Sequence, residues 1–432
     1  MKKTLYILMG AALVLASCEK VQEVKSLEIE RTSGIHQAEA WSEFIQGTGT
    51  VNTIGDEAYY QNLRDWKKAA FDADGITTRS ISYIFFADYG SMAFRFADIP
   101  DSVDVINLWG GCPKKGSLDY QEMKACQEIK GMKVVGCRIT RILENARWGM
   151  EAQIPSFMKA YEAYKYDNMG KILQGKMTAQ ELESAALEAG NAALRADVQA
   201  HPGKGANSRD AEGGPEWPEW CVYASQVILD EIEQYGLDGY DLDYEPEGDP
   251  LSGTAFNTMV AYLSQFIGPK SGNEGTLLII DRNSSAGDKD LAKLCNFWIY
   301  QKYGSTGGAS PASQGDFGSN LDRENGWVPA QIIVTENVGD TYSEGCHNLE
   351  QMANFQPSTC GQQYGHKGGF ASFHGQRDWR LEAEGAEKGK QYRYQHHLMG
   401  IRKQQYEWDS ATNDFKRDEA GNRIPLKYYG VN

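Results

Sequence analysis

Eight short runs rich in β-branched and aromatic residues punctuate the chain, at 81–88, 103–109, 132–139, 237–245, 276–282, 296–303, 331–337 and 369–374. Several are apolar on both faces, the pattern of parallel strands covered by helices. Most segments between them repeat apolar residues at helical spacing. The clearest is Glu219–Tyr235, where Val222, Val227, Ile228, Ile232 and Tyr235 form a stripe and Gly236 follows as a stop. Another helix is predicted over 57–71, with Tyr60, Leu63, Trp66 and Ala70 on one face. Strand starts fall 20 to 39 residues apart, except for 105 residues between the third and the fourth. Eight strands alternating with helices predict an α/β fold, a (β/α)8 TIM barrel. The long interval then holds an insertion, helix-rich over 146–198 and loop-like over 202–220. It follows strand three, on the face where barrel enzymes keep their chemistry.

Ahead of the first run the pattern changes. Lys2 and Lys3 precede an apolar stretch over 5–16, which is too short to span a bilayer and ends in Leu15-Ala16-Ser17-Cys18. The order of charged, apolar and small residues looks like a bacterial lipobox, with cleavage before Cys18 and lipidation of that residue. Expected segments are therefore a signal peptide over 1–17, a lipidated Cys18 and tether over 18–56, the barrel over 57–407 and a polar tail over 408–432. The lipid would be the sole membrane anchor, holding the chain in the cell envelope at the outer-membrane surface.

Composition narrows the partners. The 432 residues carry 59 Asp+Glu against 43 Lys+Arg, a formal charge of −16. So acidic a surface argues against nucleic acid and against anionic membrane as partners. Of eight Cys, seven remain beyond Cys18, an odd number that leaves at least one thiol. Cys112, Cys126, Cys137, Cys221 and Cys295 adjoin apolar segments and read as buried small hydrophobes. Cys346 and Cys360 share a loop and could pair in an oxidising compartment. Cys346, His347, Cys360 and His366 match no zinc-ligand spacing.

The fourth run carries the chemistry. It reads Asp238-Gly239-Tyr240-Asp241-Leu242-Asp243-Tyr244-Glu245. Alternation along a strand puts Asp241, Asp243 and Glu245 on one face, about 6–7 Å apart in successive steps. With Leu242 and Tyr244 toward the helices, the acidic face points into the barrel and Glu245 stands at its C-terminal rim. Three carboxylates in one bore cannot all ionise cheaply, which leaves a protonated acid beside an anion. Cleavage of a glycosidic bond needs that pair: a proton for the leaving oxygen and an anion for the developing oxocarbenium charge. A calcium loop is the other use of alternating acids, but the Gly and terminal Glu of an EF-hand are absent.

Asp-Gly-x-Asp-x-Asp-x-Glu on a fourth strand resembles the signature of glycoside hydrolase family 18, which contains chitinases and endo-β-N-acetylglucosaminidases. The wider arrangement, over about 57–405, resembles the lipoproteins of gut Bacteroidetes that act on N-linked glycans. The resemblance implies that Glu245 is the general acid/base, that Asp243 orients the substrate's 2-acetamido group, and that Asp241 shares charge or a proton with Asp243. It also implies that the acetamido oxygen is the nucleophile, with retention of configuration and no metal or cofactor. Gln301 and Tyr303, two apart at the end of the sixth run, are similar to the Gln-x-Tyr of N-glycan endoglycosidases rather than the Met-x-Tyr-Asp of many chitinases. Tyr303 would then bond the acetamido carbonyl.

The eighth run departs from the chitinase pattern. Where those enzymes place a Trp as sugar floor, it offers Phe373 or His374. Cys137 and Arg138 likewise replace a Ser-x-Gly-Gly on the third run. Asp238 joins the substrate-binding set through the motif, and Asp281, Asn283, Glu336 and Asn337 are rim candidates for sugar hydroxyls or, equally, loop caps. Trp217 and Trp220 are either a glycan platform or packing of the insertion. The expected function is an endo-β-N-acetylglucosaminidase cutting the chitobiose core of N-glycans, as a monomer whose partner is a GlcNAc-containing glycan. The alternatives are a non-catalytic glycan-binding surface lipoprotein on the same barrel, or a chitinase.

Overall fold

The structure, a computed structural model, describes residues 57–72, 76–87, 95–143, 148–284, 287–304, 321, 326–339, 346, 348–355, 358–359, 362–363, 366–381, 391–409 and 411–424. The leader, Cys18, the tether, His347, Cys360 and the last eight residues lie outside them.

All eight predicted runs form strands of one closed barrel. These are β1 Ile81–Phe85, β2 Val105–Leu108, β3 Lys133–Ile139, β4 Gly239–Asp243, β5 Leu277–Arg282, β6 Phe297–Gln301, β7 Ile332–Asn337 and β8 Gly369–Phe373. Each pairs in parallel with its sequence neighbours, and β1 closes on β8. The fold is a (β/α)8 TIM barrel. Alternation splits the strand residues into two cores. Ile81, Tyr83, Phe85, Val105, Val135, Leu277, Ile279, Phe297, Ile299 and Ile333 fill the bore, while Leu242, Tyr244, Ile280, Val334 and their neighbours meet the helices outside. Tyr244 stacks on Phe256 with ring centroids 3.8 Å apart.

Helix α1, Glu57–Lys68, precedes the barrel, and α2, Leu118–Glu128, joins β2 to β3. The insertion after β3 is a helical hairpin, α3 Pro155–Leu173 and α4 Ala179–Ala200. Thr178 and Glu181 form a reciprocal capping box at the start of α4. Helix α5 spans Glu219–Tyr235, and Gly236 ends it in the left-handed region at φ 61°. Its buried face differs from the predicted stripe. Trp220, Cys221, Ala224, Ser225 and Ile228 are buried, while Val227, Ile232 and Tyr235 pack at the margin. Small residues let the helix lie close to the strands, a fit that an aliphatic count overlooks.

Gly239 opens β4 at φ 152°, and a Cβ there would sit 2.0 Å from the Leu277 carbonyl oxygen. The motif's glycine is thus required where β4 approaches β5. Helix α6, Thr254–Leu263, follows β4; α7, Leu349–Asn354, lies between β7 and β8; and α8, Gln395–Lys403, follows β8. The expected polar tail folds in part. Trp408–Asp409 pairs antiparallel with Asp414–Phe415, Phe415 is buried, and the Lys403 ammonium lies 3.9 Å from the centre of the Trp408 ring. Among the described residues no helix is long and apolar enough to cross a membrane.

Candidate active site at the barrel mouth

The acidic face of β4 points inward as the alternation requires. Asp241 is wholly buried and Asp243 nearly so, while the Glu245 side chain, just past the strand, is 39% exposed. Asp241 Oδ2 accepts from Tyr83 Oη of β1 at 2.6 Å and from Asn107 Nδ2 of β2 at 2.7 Å. Gln301 Nε2 at the end of β6 donates to Asp243 Oδ1 at 3.2 Å and to Asp281 Oδ2 at 2.7 Å. Five strands therefore converge on one carboxyl cluster. Burial and the neighbouring Asp243 raise the Asp241 carboxyl to about 7, against the hydrogen bonds from Tyr83 and Asn107. Burial, then Asp241 and Asp243, hold Asp281 well above the carboxylate range. The Tyr303 hydroxyl lies in the same field and is pushed up by burial and by Asp281 and Asp243.

Glu245 is held by the segment that follows β3. Arg141 Nε donates to the Glu245 carbonyl at 2.8 Å, and its Nη2 lies 3.3 Å from both Glu245 Oε2 and Glu247 Oε2. Arg195 of α4 donates to the Gly248 carbonyl at 3.1 Å, and the Leu143 amide donates to Asp249 at 2.9 Å. The loop bearing the rim acid is thus pinned by the insertion and its approach. At this exposure the Arg141 ion pair contributes at most about 1 kcal/mol, so its role is orientation rather than stability.

An aromatic wall faces the carboxyl cluster. Phe373 stacks on Tyr303 (centroids 5.6 Å apart, planes 11° apart), and meets Phe85 edge-on at 5.9 Å. His374, at positive φ, lies 4.1 Å from Phe373. Trp109, just past β2 and 37% exposed, stands 5.0 Å from Phe373 and 5.6 Å from His374.

Other candidates lie elsewhere or are committed to the fold. Asp238 is at the opposite end of β4, about 20 Å from the rim by strand rise, where its Oδ2 accepts from Gln127 at 2.6 Å and the Val134 amide at 2.8 Å. It ties β3 and α2 together and does not reach the mouth. Glu336 alternates outward and is buried, with Oε1 accepting from the Gly304 amide at 2.7 Å and the Asn337 amide at 2.9 Å. Asn337 Oδ1 caps the Gly339 amide at 2.9 Å. Trp220 is buried and donates to the His201 carbonyl at 2.8 Å, and Trp217 packs edge-on against Tyr262 of α6, the Thr254–Leu263 helix. Trp220 is thus committed to packing, and Trp217 is half-buried against α6. Asn283 is exposed after β5, whereas Asp281 is buried beside Asp241 rather than displayed on the rim.

Tyr83, Asn107, Trp109 and Arg141 were not singled out by the sequence. Asn107 carried a signal, a polar residue within an otherwise apolar run. Tyr83 differs from a core aromatic only by its hydroxyl. Cys137 is half-buried in the same bore, where burial and Asp241 push its thiol up. Away from the mouth, one ligand atom each of Cys346, Asp378 and His396 lie within 4.8 Å of one another. Asp378 there accepts the His397 amide of the first turn of α8 at 2.8 Å, and His396 bonds Glu350 at 3.1 Å. These contacts are those of a helix start.

The model of the TIM-barrel domain of the endo-β-N-acetylglucosaminidase EndoS matches residues 203–371. That span runs from the end of the insertion to β8 and includes Asp241, Asp243, Glu245, Asp281, Gln301 and Tyr303. An endo-β-N-acetylglucosaminidase of Bifidobacterium longum subsp. infantis is 29% identical over 121 residues, which are 27% of this chain and 22% of that protein. Endo-β-N-acetylglucosaminidase F2 of Elizabethkingia meningoseptica is 25% identical over 182 residues, 40% of this chain and 52% of that protein. The chain thus matches between about a fifth and half of these relatives' lengths. The apo crystal structure of a Cordyceps militaris endo-β-N-acetylglucosaminidase is 18% identical, covers 81% of this chain and 96% of its own, and has a TM-score of 0.43.

Proposed function

We propose that this chain is an endo-β-N-acetylglucosaminidase of the family 18 type that hydrolyses the chitobiose core of N-linked glycans with retention of configuration. The observation that carries the proposal is the stacking of groups in the bore. A rim carboxyl, Glu245, stands above a buried carboxyl pair whose upper member, Asp243, accepts a hydrogen bond from Gln301. The similarity of residues 203–371 to endo-β-N-acetylglucosaminidase barrels supports it.

In this reaction Glu245 donates its proton to the glycosidic oxygen as the bond to C1 breaks. The acetamido carbonyl oxygen of the same sugar attacks C1 and closes an oxazolinium ring. Asp243 accepts the acetamido N–H and balances the ring's positive charge, and the Tyr303 hydroxyl orients the group. Glu245, now a carboxylate, takes a proton from water as that water opens the ring from the same face the leaving group left. The partly exposed rim position of Glu245 suits both water and a large leaving group. A non-catalytic glycan binder would have no use for an intact acid above a buried carboxyl pair.

The distinction from a chitinase is testable by incubating the full chain with an N-glycosylated protein and, separately, with chitin oligomers. Release of a new reducing end from the glycoprotein and none from the oligomers is expected. The reverse preference would replace this proposal with a chitinase.

Trp109 and Phe373 supply the stacking surface that the eighth strand's missing Trp would have given. Trp109→Ala is expected to lower kcat/KM about threefold to tenfold, the size of one lost aromatic contact, mostly through KM. An unchanged KM would remove Trp109 from the substrate path. Lipidation of Cys18 and an outer-membrane location complete the proposal. Mass spectrometry of the protein from its native envelope would detect the acylated cysteine.

A further inference from the structure

We propose that Asp281 is a positioning residue, which shares one proton with Asp241 through the carboxyl oxygens that nothing else satisfies, so that the pair carries one negative charge rather than two and Asp243 stays ionised beside it. The inference rests on the reaction proposed above and adds to it a group outside the β4 motif and outside the Gln-x-Tyr pair.

The geometry sets the case. Asp281 is the register partner of Asp243 on β5 and is buried. Its Oδ2 is satisfied by Gln301 at 2.7 Å, and Asp241 Oδ2 is satisfied by Tyr83 and Asn107. The other oxygen of each, Asp241 Oδ1 and Asp281 Oδ1, is buried with no donor among the described residues. Two orphaned carboxyl oxygens in one buried bore are costly, and a single proton between them satisfies both at once. Burial and then the neighbouring Asp241 charge hold Asp281 well above the carboxylate range, which makes Asp281 the proton's carrier. The groups that face the pair are Tyr83 of β1, Asn107 of β2, Cys137 of β3, Asp243 of β4, Gln301 of β6 and Tyr303 beyond it. None is a cation, so no counter-charge replaces the proton.

The consequence for the reaction is directional. With the proton held, Asp241 and Asp281 together carry one negative charge, and Asp243 keeps its own to serve the acetamido N–H. Gln301 reinforces this, since one amide group bridges Asp281 and Asp243 and fixes their relative orientation. Loss of the shared proton would leave three anions within the bore and repel the charge on which the oxazolinium step depends.

The test uses two variants of the full chain. Asp281→Asn keeps the shape and offers Asp241 Oδ1 an amide donor that cannot titrate. Asp281→Ala removes the partner. Folding raises both carboxyls, Asp241 from 3.8 to about 7 and Asp281 well above 3.8, so the pair binds protons more tightly in the folded chain than in the unfolded one. Its contribution to stability is therefore present at low pH and is lost as pH rises from about 4 through about 7. The apparent Tm of the natural chain should fall by several degrees between pH 5 and pH 8, and that of Asp281→Asn should fall distinctly less. Equal falls in the two proteins would overturn proton sharing, and this readout needs no substrate, so it stands apart from the glycosidase proposal. In turnover, Asp281→Asn should keep kcat within about threefold and Asp281→Ala should lose about tenfold or more with KM little changed. An unimpaired kcat in Asp281→Ala would overturn the positioning role even if the proton is shared.

Discussion

Glu245→Gln is expected to lower kcat by about a thousandfold or more, the scale of a lost general acid/base, while the protein stays folded. The amide has nearly the same shape as the carboxyl but can neither give a proton to the leaving oxygen nor take one from water. The fold should tolerate the change because the side chain is 39% exposed and its Arg141 contact is a surface ion pair. The Arg141 hydrogen bond to the Glu245 carbonyl is untouched. Thermal unfolding should therefore move by no more than a degree or two, while glycan release falls to background. Turnover at an appreciable fraction of the natural rate would move the acid elsewhere in the mouth.

The second large effect is at Asp243. Asp243→Asn removes the anion that accepts the acetamido N–H and also sets an amide against the Gln301 amide, which now donates to Asp243 Oδ1 at 3.2 Å. A loss of about a hundredfold to a thousandfold in kcat follows if the charge acts mainly in the transition state. KM should change little. Supplying a preformed sugar oxazoline bypasses the step that Asp243 serves, and the variant should still process it through the intact Glu245. An Asn variant with normal kcat on natural glycan would contradict substrate assistance, as would one equally slow on the oxazoline.

Much of this site was legible because strands impose a period of two. The carboxylates of β4 could be assigned to the bore from Leu242 and Tyr244 alone, and the structure puts Asp241 and Asp243 there. The same rule, applied to β7, would have turned Glu336 outward with Ile332 and Val334, since Ile333 fills the bore. Asp281 was harder. A residue near a strand's C-terminal end is read as rim, but β5 pairs Asp281 with Asp243 and Gln301 bonds both, which puts it in the cluster. Trp220 is packed rather than displayed, and aromatic composition does not distinguish a stacking surface from a packed one. Trp220 has its indole N–H bonded to a backbone carbonyl, the usual state of a buried indole. Trp109 and Arg141 act from loops that follow strands, where no periodicity marks direction. The small-residue face of α5 was missed for a related reason, since Cys, Ala and Ser carry little weight in an apolar stripe.

The most direct test of the account is the mass of the protein product. Residues 19–432 would be incubated with a glycoprotein bearing high-mannose chains and with one bearing complex chains, and the remaining protein weighed at each site. The account predicts a product that keeps one N-acetylglucosamine per cleaved site, with the faster substrate identifying the glycan class. Glycoproteins recovered with both chains intact but bound to the barrel would contradict it and make the protein a glycan binder.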